Sequence, residues 1–161
     1  TGVGYKLRLK GNNPIAECDL PNQAKYLVSG KAAAGLLMYF AARMKELGAQ
    51  DVEVTGLVRT NKLWYEALDG KAPCLPNTQP RTHVIGSAFD IGINIGGKRM
   101  SKKTEDVLRF MLADMEIGGQ LSWIPEGYAF HVVVMPEAAA DYERVYGSVM
   151  GGASPLPART S

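Results

Sequence analysis

The sequence predicts a single α+β domain with a small antiparallel sheet backed by helices. Its length of 161 residues suits one domain with a sizeable core, and 46% hydrophobic with 21% charged residues is typical of a globular protein. Segments with two-residue alternation are mixed along the chain with segments of helical spacing. Two of the alternating segments are separated by only a few turn residues, which favours an antiparallel hairpin and hence the α+β class.

The first part of the chain predicts two strands and a helix between them. A short strand is expected at Tyr5–Leu9, and Ser29 is a candidate N-cap for a helix that stops at Gly48. The alternating segment Asp51–Val58 predicts the second strand. The helix has five apolar side chains on one face, namely Leu36, Leu37, Phe40, Met44 and Leu47.

The middle of the chain predicts a short helix, a loop and a third strand. The short helix is expected around Lys62–Leu68, and the loop at Asp69–Pro80 contains three prolines. The strand "AFDIGINI" follows at Ala88–Ile95 and is ended by Gly96 and Gly97.

The last part predicts a helix, a hairpin and a final helix. Ser101 is placed to cap a helix from Lys102 to about Met115. The segments "QLSWI" and "AFHVVVM" predict two strands around the turn "PEGY". A helix is expected with Pro136 near its start. One domain is therefore expected over residues 1–150, followed by a disordered tail at 151–161.

Composition and charge exclude several classes of function. The formal net charge of +2 is too small to indicate a nucleic-acid partner, and the longest apolar run, Ala32–Ala42, is too short to span a membrane. The start at Thr1 without methionine predicts a processed or trimmed chain, so the lack of a signal peptide does not indicate the compartment. Cys18 and Cys74 lie far apart, and the sequence leaves open a disulfide or two thiols.

Three polar residues lie in or beside segments that predict buried strands. His83 precedes the strand "AFDIGINI", Asp90 lies inside it, and Gly86 between them allows a tight turn. His131, the second of only two histidines, lies within "AFHVVVM". Two imidazoles and one carboxylate on adjacent strands are a ligand set for Zn²⁺ that leaves a fourth position for water. The alternative is that these residues are structural, with satisfied hydrogen bonds.

The order and spacing of these residues resemble a known zinc motif. Four positions match His-x-x-Gly-x-Ala-x-Asp, namely His83, Gly86, Ala88 and Asp90. His131 follows 41 positions after the aspartate. The pattern is similar to that of the D-Ala-D-Ala carboxypeptidase and dipeptidase group of peptidoglycan metallopeptidases, a superfamily that includes lysostaphin-type and hedgehog domains. The resemblance covers about Val52–Val134 and is greatest to a bacterial branch of undefined activity.

The resemblance implies a zinc peptidase that hydrolyses amide bonds in peptidoglycan peptides at D-amino-acid linkages. It implies Zn²⁺ with three protein ligands, namely His83, Asp90 and His131. It also implies that Glu126 is the general base and that Arg59 steadies the substrate carbonyl or its oxyanion. Such substrates lie outside the cytoplasm, so a periplasmic or secreted location is expected and favours a Cys18–Cys74 disulfide.

The position of Glu126 departs from the superfamily pattern. The catalytic acid or base of that superfamily usually lies two or three residues before the last histidine, whereas Glu126 lies five residues before His131. An odd offset within a regular strand places two side chains on opposite faces, so a bulge or turn at "EGYAF" is needed to bring them together. Gly127 allows such a turn. The alternative is that Glu126 is a hairpin-turn carboxylate.

Three further residues are candidates for substrate binding. Arg81 stands where the superfamily often has serine, and it either binds a substrate carboxylate or is a solvated loop residue. Trp123 and Tyr128 flank Glu126 and are expected to line a cleft, with ordinary core packing as the alternative. Arg59 has a structural alternative too, because it can pair with an acidic residue at a strand end.

Three hypotheses about function remain open at the level of sequence. The first is the zinc peptidase. The second is a non-catalytic binding or structural domain that keeps zinc, for which the hedgehog domain is a precedent and which the displaced Glu126 favours. The third is a metal-free globular domain in which the motif is accidental. Another divalent metal is compatible with the same ligands.

Overall fold

The computed structural model describes residues 7–9, 30–49, 52–56, 86–95 and 97–157. In chain order they form β1 (Leu7–Leu9), α1 (Lys31–Glu46), β2 (Val52–Gly56), β3 (Ala88–Gly92), β4 (Asn94–Ile95), β5 (Lys98–Arg99), α2 (Lys102–Ile117), β6 (Leu121–Glu126), β7 (Ala129–Val134), a 3-10 turn (Pro136–Ala138) and α3 (Ala139–Met150). The predicted α+β class is confirmed. The predicted short helix and proline-containing loop lie outside the described residues.

Among the described residues, five strands form the main sheet in the order β1-β2-β3-β7-β6. Strands β2, β3, β7 and β6 pair antiparallel, as predicted, whereas the edge strand β1 pairs parallel to β2. Two parallel strands cannot be joined by a tight turn and require a crossover connection, and helix α1 supplies this crossover between β1 and β2.

The two faces of this sheet differ in chemistry, because successive side chains of a strand point to opposite faces. One face carries apolar side chains that are buried in the core, namely Phe89, Ile91, Phe130 and Val132. Helix α1 packs against β3 and β7 on this side, and helix α2 packs against β6. Asp90 and His131 lie on the opposite face of the same two strands.

Helix α1 joins the sheet to helix α3, since it contacts both. Four of the five side chains predicted for its buried face are buried, namely Leu36, Leu37, Phe40 and Met44. Leu47 is exposed, because the helix has already ended at Glu46. The N-cap is Gly30 rather than Ser29, and the Gly30 amide donates to the carbonyl oxygen of Gly86 over 3.0 Å. Gly86 has φ +73°, the conformation expected of a glycine in a tight turn.

Helix α2 begins as its sequence predicts. The Oγ of Ser101 accepts a hydrogen bond from the Thr104 amide over 3.2 Å, which satisfies one of the free N–H groups of the first turn. The helix continues two residues past the expected end, to Ile117.

The predicted strand at Ala88–Ile95 is divided in two. After Gly92 the chain bends away from the main sheet, and the Ile93 carbonyl accepts from the Met100 amide over 2.7 Å. Strands β4 and β5 therefore form a separate two-stranded sheet. In the hairpin, by contrast, β6 runs past its expected end through Pro125 to Glu126, which its position at the sheet edge permits.

Beyond helix α3 the structure describes the chain as far as residue 157, where Pro155 is buried and Leu156 contacts the core, while the other residues of this segment are exposed. The predicted disordered tail at 151–161 stays a prediction. Residues 158–161 lie outside the described residues. Within the described part of the chain, no helix is both long and apolar enough to cross a membrane.

Candidate metal centre

Strands β3 and β7 bring an aspartate and a histidine together at the centre of the sheet. Asp90 and His131 are directly paired across the two strands. The Nδ1 atom of His131 lies 2.8 Å from Oδ1 of Asp90, within hydrogen-bonding distance. His131 is only 3% exposed and Asp90 only 7% exposed. A buried aspartate in an apolar strand is thus explained by a polar partner on the neighbouring strand.

Glu126 lies on the same face as this pair. It ends strand β6, and a two-residue turn at Gly127 and Tyr128 leads into β7. Gly127 has φ +56°, so it supplies the left-handed conformation of the turn. The register pairs Glu126 with Ala129, two residues before His131 and therefore on the same face. The five-residue offset in sequence thus becomes proximity across a hairpin.

Asp90, Glu126 and His131 form a group that can hold a metal ion. One ligand atom from each residue lies within 4.8 Å of the other two. Zn²⁺ binds histidine nitrogen and carboxylate oxygen at about 2.0–2.2 Å, so two tetrahedral ligands lie roughly 3.3 Å apart. The Asp90–His131 separation of 2.8 Å needs to widen by only about half an ångström to accept the ion. The donor set suits Zn²⁺ and other divalent metals that accept nitrogen and oxygen.

The Asp90–His131 pair has two chemical uses in such a site. Both atoms can bind the ion directly when Nδ1 carries no proton. Alternatively, Nδ1–H donates to the Asp90 carboxylate, which fixes the imidazole so that Nε2 binds the ion. The two arrangements differ in whether Asp90 is a ligand or an orienting group.

The other predicted site residues are placed differently. His83, Arg59 and Arg81 lie outside the described residues. Tyr128 occupies the hairpin turn beside Glu126 and is 84% exposed. Trp123 pairs with Val132 and packs edge-on against Phe130, with ring centroids 5.7 Å apart. It therefore lies on the helix-covered face, away from His131, and this placement favours the alternative of core packing.

Ile124 is a neighbour of the site that the sequence interpretation missed. It pairs directly with His131, lies on the same face and is 51% exposed. The alternation of side chains along a strand is the sequence signal for Ile124. Ile124 is two residues before Glu126 and therefore shares its face, whereas Trp123 is three residues before Glu126 and lies on the other face.

The fold and site together define a mixed α+β protein with a candidate metal centre on the sheet face opposite helices α1 and α2. No family model matches the chain, and no curated protein or solved structure is significantly similar to it.

Proposed function

We propose that this protein is a zinc-dependent peptidase that hydrolyses amide bonds in peptidoglycan peptides at D-amino-acid linkages. The observation that carries the proposal is the cluster of Asp90, His131 and Glu126 on one sheet face, with ligand atoms within 4.8 Å of one another. Zn²⁺ would be held by Asp90, His131 and, from the sequence motif, His83. The substrate class and a periplasmic or secreted location rest on the resemblance of that motif to peptidoglycan metallopeptidases.

In this proposal the metal ion, Glu126 and Arg59 have separate roles in the hydrolysis. Bound Zn²⁺ supplies a Lewis acid that lowers the pKa of water and polarises a carbonyl. Glu126, exposed at the end of β6, takes a proton from the attacking water as the new C–O bond forms. It returns that proton to the nitrogen of the leaving amine as the C–N bond breaks. Arg59 would stabilise the negative charge on the carbonyl oxygen during the reaction.

Ile124 and Tyr128 extend the site along its exposed edge. Each lies two residues from Glu126 in the hairpin, and both expose apolar surface to solvent. They offer an apolar surface against which a substrate side chain can lie while the carboxylate reaches the scissile bond. Tyr128 keeps here the substrate-binding role that the sequence predicts.

A non-catalytic zinc domain is the second candidate function. Because Glu126 is close enough to be a ligand, it could join His83, Asp90 and His131 in a set of four protein ligands. Four protein ligands close the coordination sphere, which is typical of structural rather than catalytic zinc. The two functions therefore assign opposite roles to the same carboxylate.

The Glu126→Gln variant separates these roles. If Glu126 is the base, the variant keeps about one zinc per chain while hydrolysis of a peptidoglycan peptide falls by about 10²–10⁴-fold. If Glu126 is a ligand of a structural site, zinc affinity falls and the parent has no activity to lose. Glu143→Gln makes the same charge change on the exposed surface of helix α3 and should alter neither property.

Metal content of the parent and of the His83→Ala variant tests the ligand set. About one zinc per parent chain, lost in the variant, supports the three proposed ligands. A parent chain that takes up no Zn²⁺ contradicts both candidate functions and leaves the motif as a structural feature.

A further inference from the structure

Gly56, at the end of strand β2, lies against the carboxylate of Asp90. A Cβ atom on residue 56 would be 2.1 Å from Oδ2 of Asp90 and 2.8 Å from its Cγ. Non-bonded carbon and oxygen atoms have their optimal separation at roughly 3.5 Å, and repulsion rises steeply below it. Any side chain at position 56 therefore excludes the present position of this carboxylate.

An irregularity in β2 brings the glycine to this point. Val54 pairs with Ile91, so a regular antiparallel ladder would place Thr55 opposite Asp90. The register instead shifts between Val54 and Gly56, and Gly56 is the residue paired with Asp90. Bulges of this kind redirect side chains within a sheet. The shift in β2 places Gly56, rather than Thr55, opposite Asp90.

We propose that Gly56 is a positioning residue of the candidate metal centre, where its missing side chain leaves the space in which Asp90 directs its carboxylate towards His131. Asp90 is the middle residue of a row across three strands, paired with Gly56 on one side and His131 on the other. Its Oδ2 atom lies over Gly56, while Oδ1 lies 2.8 Å from Nδ1 of His131. The metal-binding part of this inference rests on the proposed function, whereas the steric part does not.

Gly92 provides a matched control on the partner strand. It is buried, lies two residues from Asp90 and, like Gly56, has no positive φ, so alanine is compatible with the backbone at both positions. A Cβ atom on Gly92 would meet Cγ2 of Thr55 at 2.7 Å, and its next contacts are backbone oxygens of Asn94 and Glu53. An alanine there crowds a methyl group rather than the Asp90 carboxylate.

Zn²⁺ affinity is the first measurement, made on the parent, Gly56→Ala and Gly92→Ala by competition with a chromogenic chelator. Displacing the carboxylate should raise the dissociation constant of Gly56→Ala by about 10–100-fold, the loss typical of groups that orient metal ligands. Gly92→Ala should bind like the parent. An unchanged affinity in Gly56→Ala, or an equal loss in both variants, overturns the positioning role in metal binding.

Thermal unfolding in a chelator tests the steric contact without metal. Gly56→Ala should lower the melting temperature in the parent, and should lower it much less in an Asp90→Ala background, where the colliding carboxylate is absent. Equal decreases in the two backgrounds overturn the proposal that Gly56 acts through Asp90. A parent that binds no Zn²⁺ overturns the proposed function and the metal-binding part of this inference, and that result is distinct from the unfolding comparison.

Discussion

Asp90 and His131 are 41 positions apart in the chain, yet their side chains meet at 2.8 Å because strands β3 and β7 pair these two residues directly. The contact is buried, lies on the sheet face opposite helices α1 and α2 and has Glu126 beside it. Two strands at the centre of the sheet fix the backbone on both sides of the contact. Such a rigid base is what a metal centre or catalytic group requires.

Replacement of Asp90 by asparagine should distinguish a ligand from an orienting group. The asparagine Oδ1 can still accept a hydrogen bond from Nδ1–H of His131, but the negative charge is lost. If Asp90 binds Zn²⁺ directly, affinity should fall by more than about 100-fold, beyond the range found for outer-shell partners. The measurement is chelator competition, with Asp106→Asn on the exposed side of α2 as the control. A decrease within about 10–100-fold would indicate the orienting role instead.

Replacement of Tyr128 by alanine should weaken substrate binding without disturbing the fold. The side chain is 84% exposed, so its loss should leave the melting temperature and zinc content unchanged. We expect KM for a peptidoglycan peptide to rise by about 5–30-fold, equivalent to roughly 1–2 kcal/mol. Phe110→Ala removes an exposed aromatic ring from helix α2, on the other side of the sheet, and is the control. Equal kinetics for Tyr128→Ala and the parent would contradict the predicted role of Tyr128.

Local chemistry explains the parts of the fold that the sequence predicts correctly. Ser101 precedes a segment with helical spacing, and the cap that it forms involves residues only three positions apart. The hairpin that carries Glu126 is local as well, since its turn is short and contains Gly127. Both features depend on neighbouring residues, so pattern and turn chemistry are sufficient to predict them.

Long-range pairing determines the parts that the sequence does not predict. The parallel direction of β1 and the register shift that places Gly56 beside Asp90 both depend on contacts between distant strands. No local signal in "VEVTG" distinguishes a regular ladder from a bulged one. The predicted roles of His83 and Arg59 depend on residues outside the described ranges and stay predictions.

The ion pairs of Glu105 should make stability depend on pH in the acid range. Hydrogen bonds from Arg109 hold the pKa of Glu105 below its usual value, and Arg99 adds to this effect, at distances between 2.9 and 3.1 Å. A lowered pKa means that the folded state prefers the charged carboxylate. This stabilisation is fully present above the pKa of the unfolded chain, about 4.3, and is lost as the pH falls through the folded-state pKa.

Between about pH 5 and pH 3 the unfolding free energy of the parent should therefore fall more than that of Glu105→Gln, because only the parent loses this contribution. The arginine side chains are 44% and 62% exposed, so solvent screens the pairs and the difference should stay below about 1 kcal/mol. Urea unfolding across this range measures it. High salt screens the ion pairs, so the difference in unfolding free energy between parent and variant should be smaller there. An identical pH dependence of the unfolding free energy in parent and variant at low salt would contradict the prediction.

Two glycines that face different surroundings should respond in opposite ways to alanine. Helices α1 and α3 are in close contact at Gly35, where a Cβ atom would lie 1.8 Å from the backbone oxygen of Tyr142. Backbone cannot move aside as a flexible side chain can, so Gly35→Ala must push the two helices apart. We expect a loss of about 1–3 kcal/mol in unfolding free energy.

Gly147, inside helix α3, has no neighbour within 4 Å of a Cβ atom built on it. Gly147→Ala should stabilise the protein by up to about 1 kcal/mol, because alanine has the higher helix propensity. Chemical unfolding of both variants measures the contrast, and a Gly35→Ala variant as stable as Gly147→Ala would contradict the close packing of the two helices.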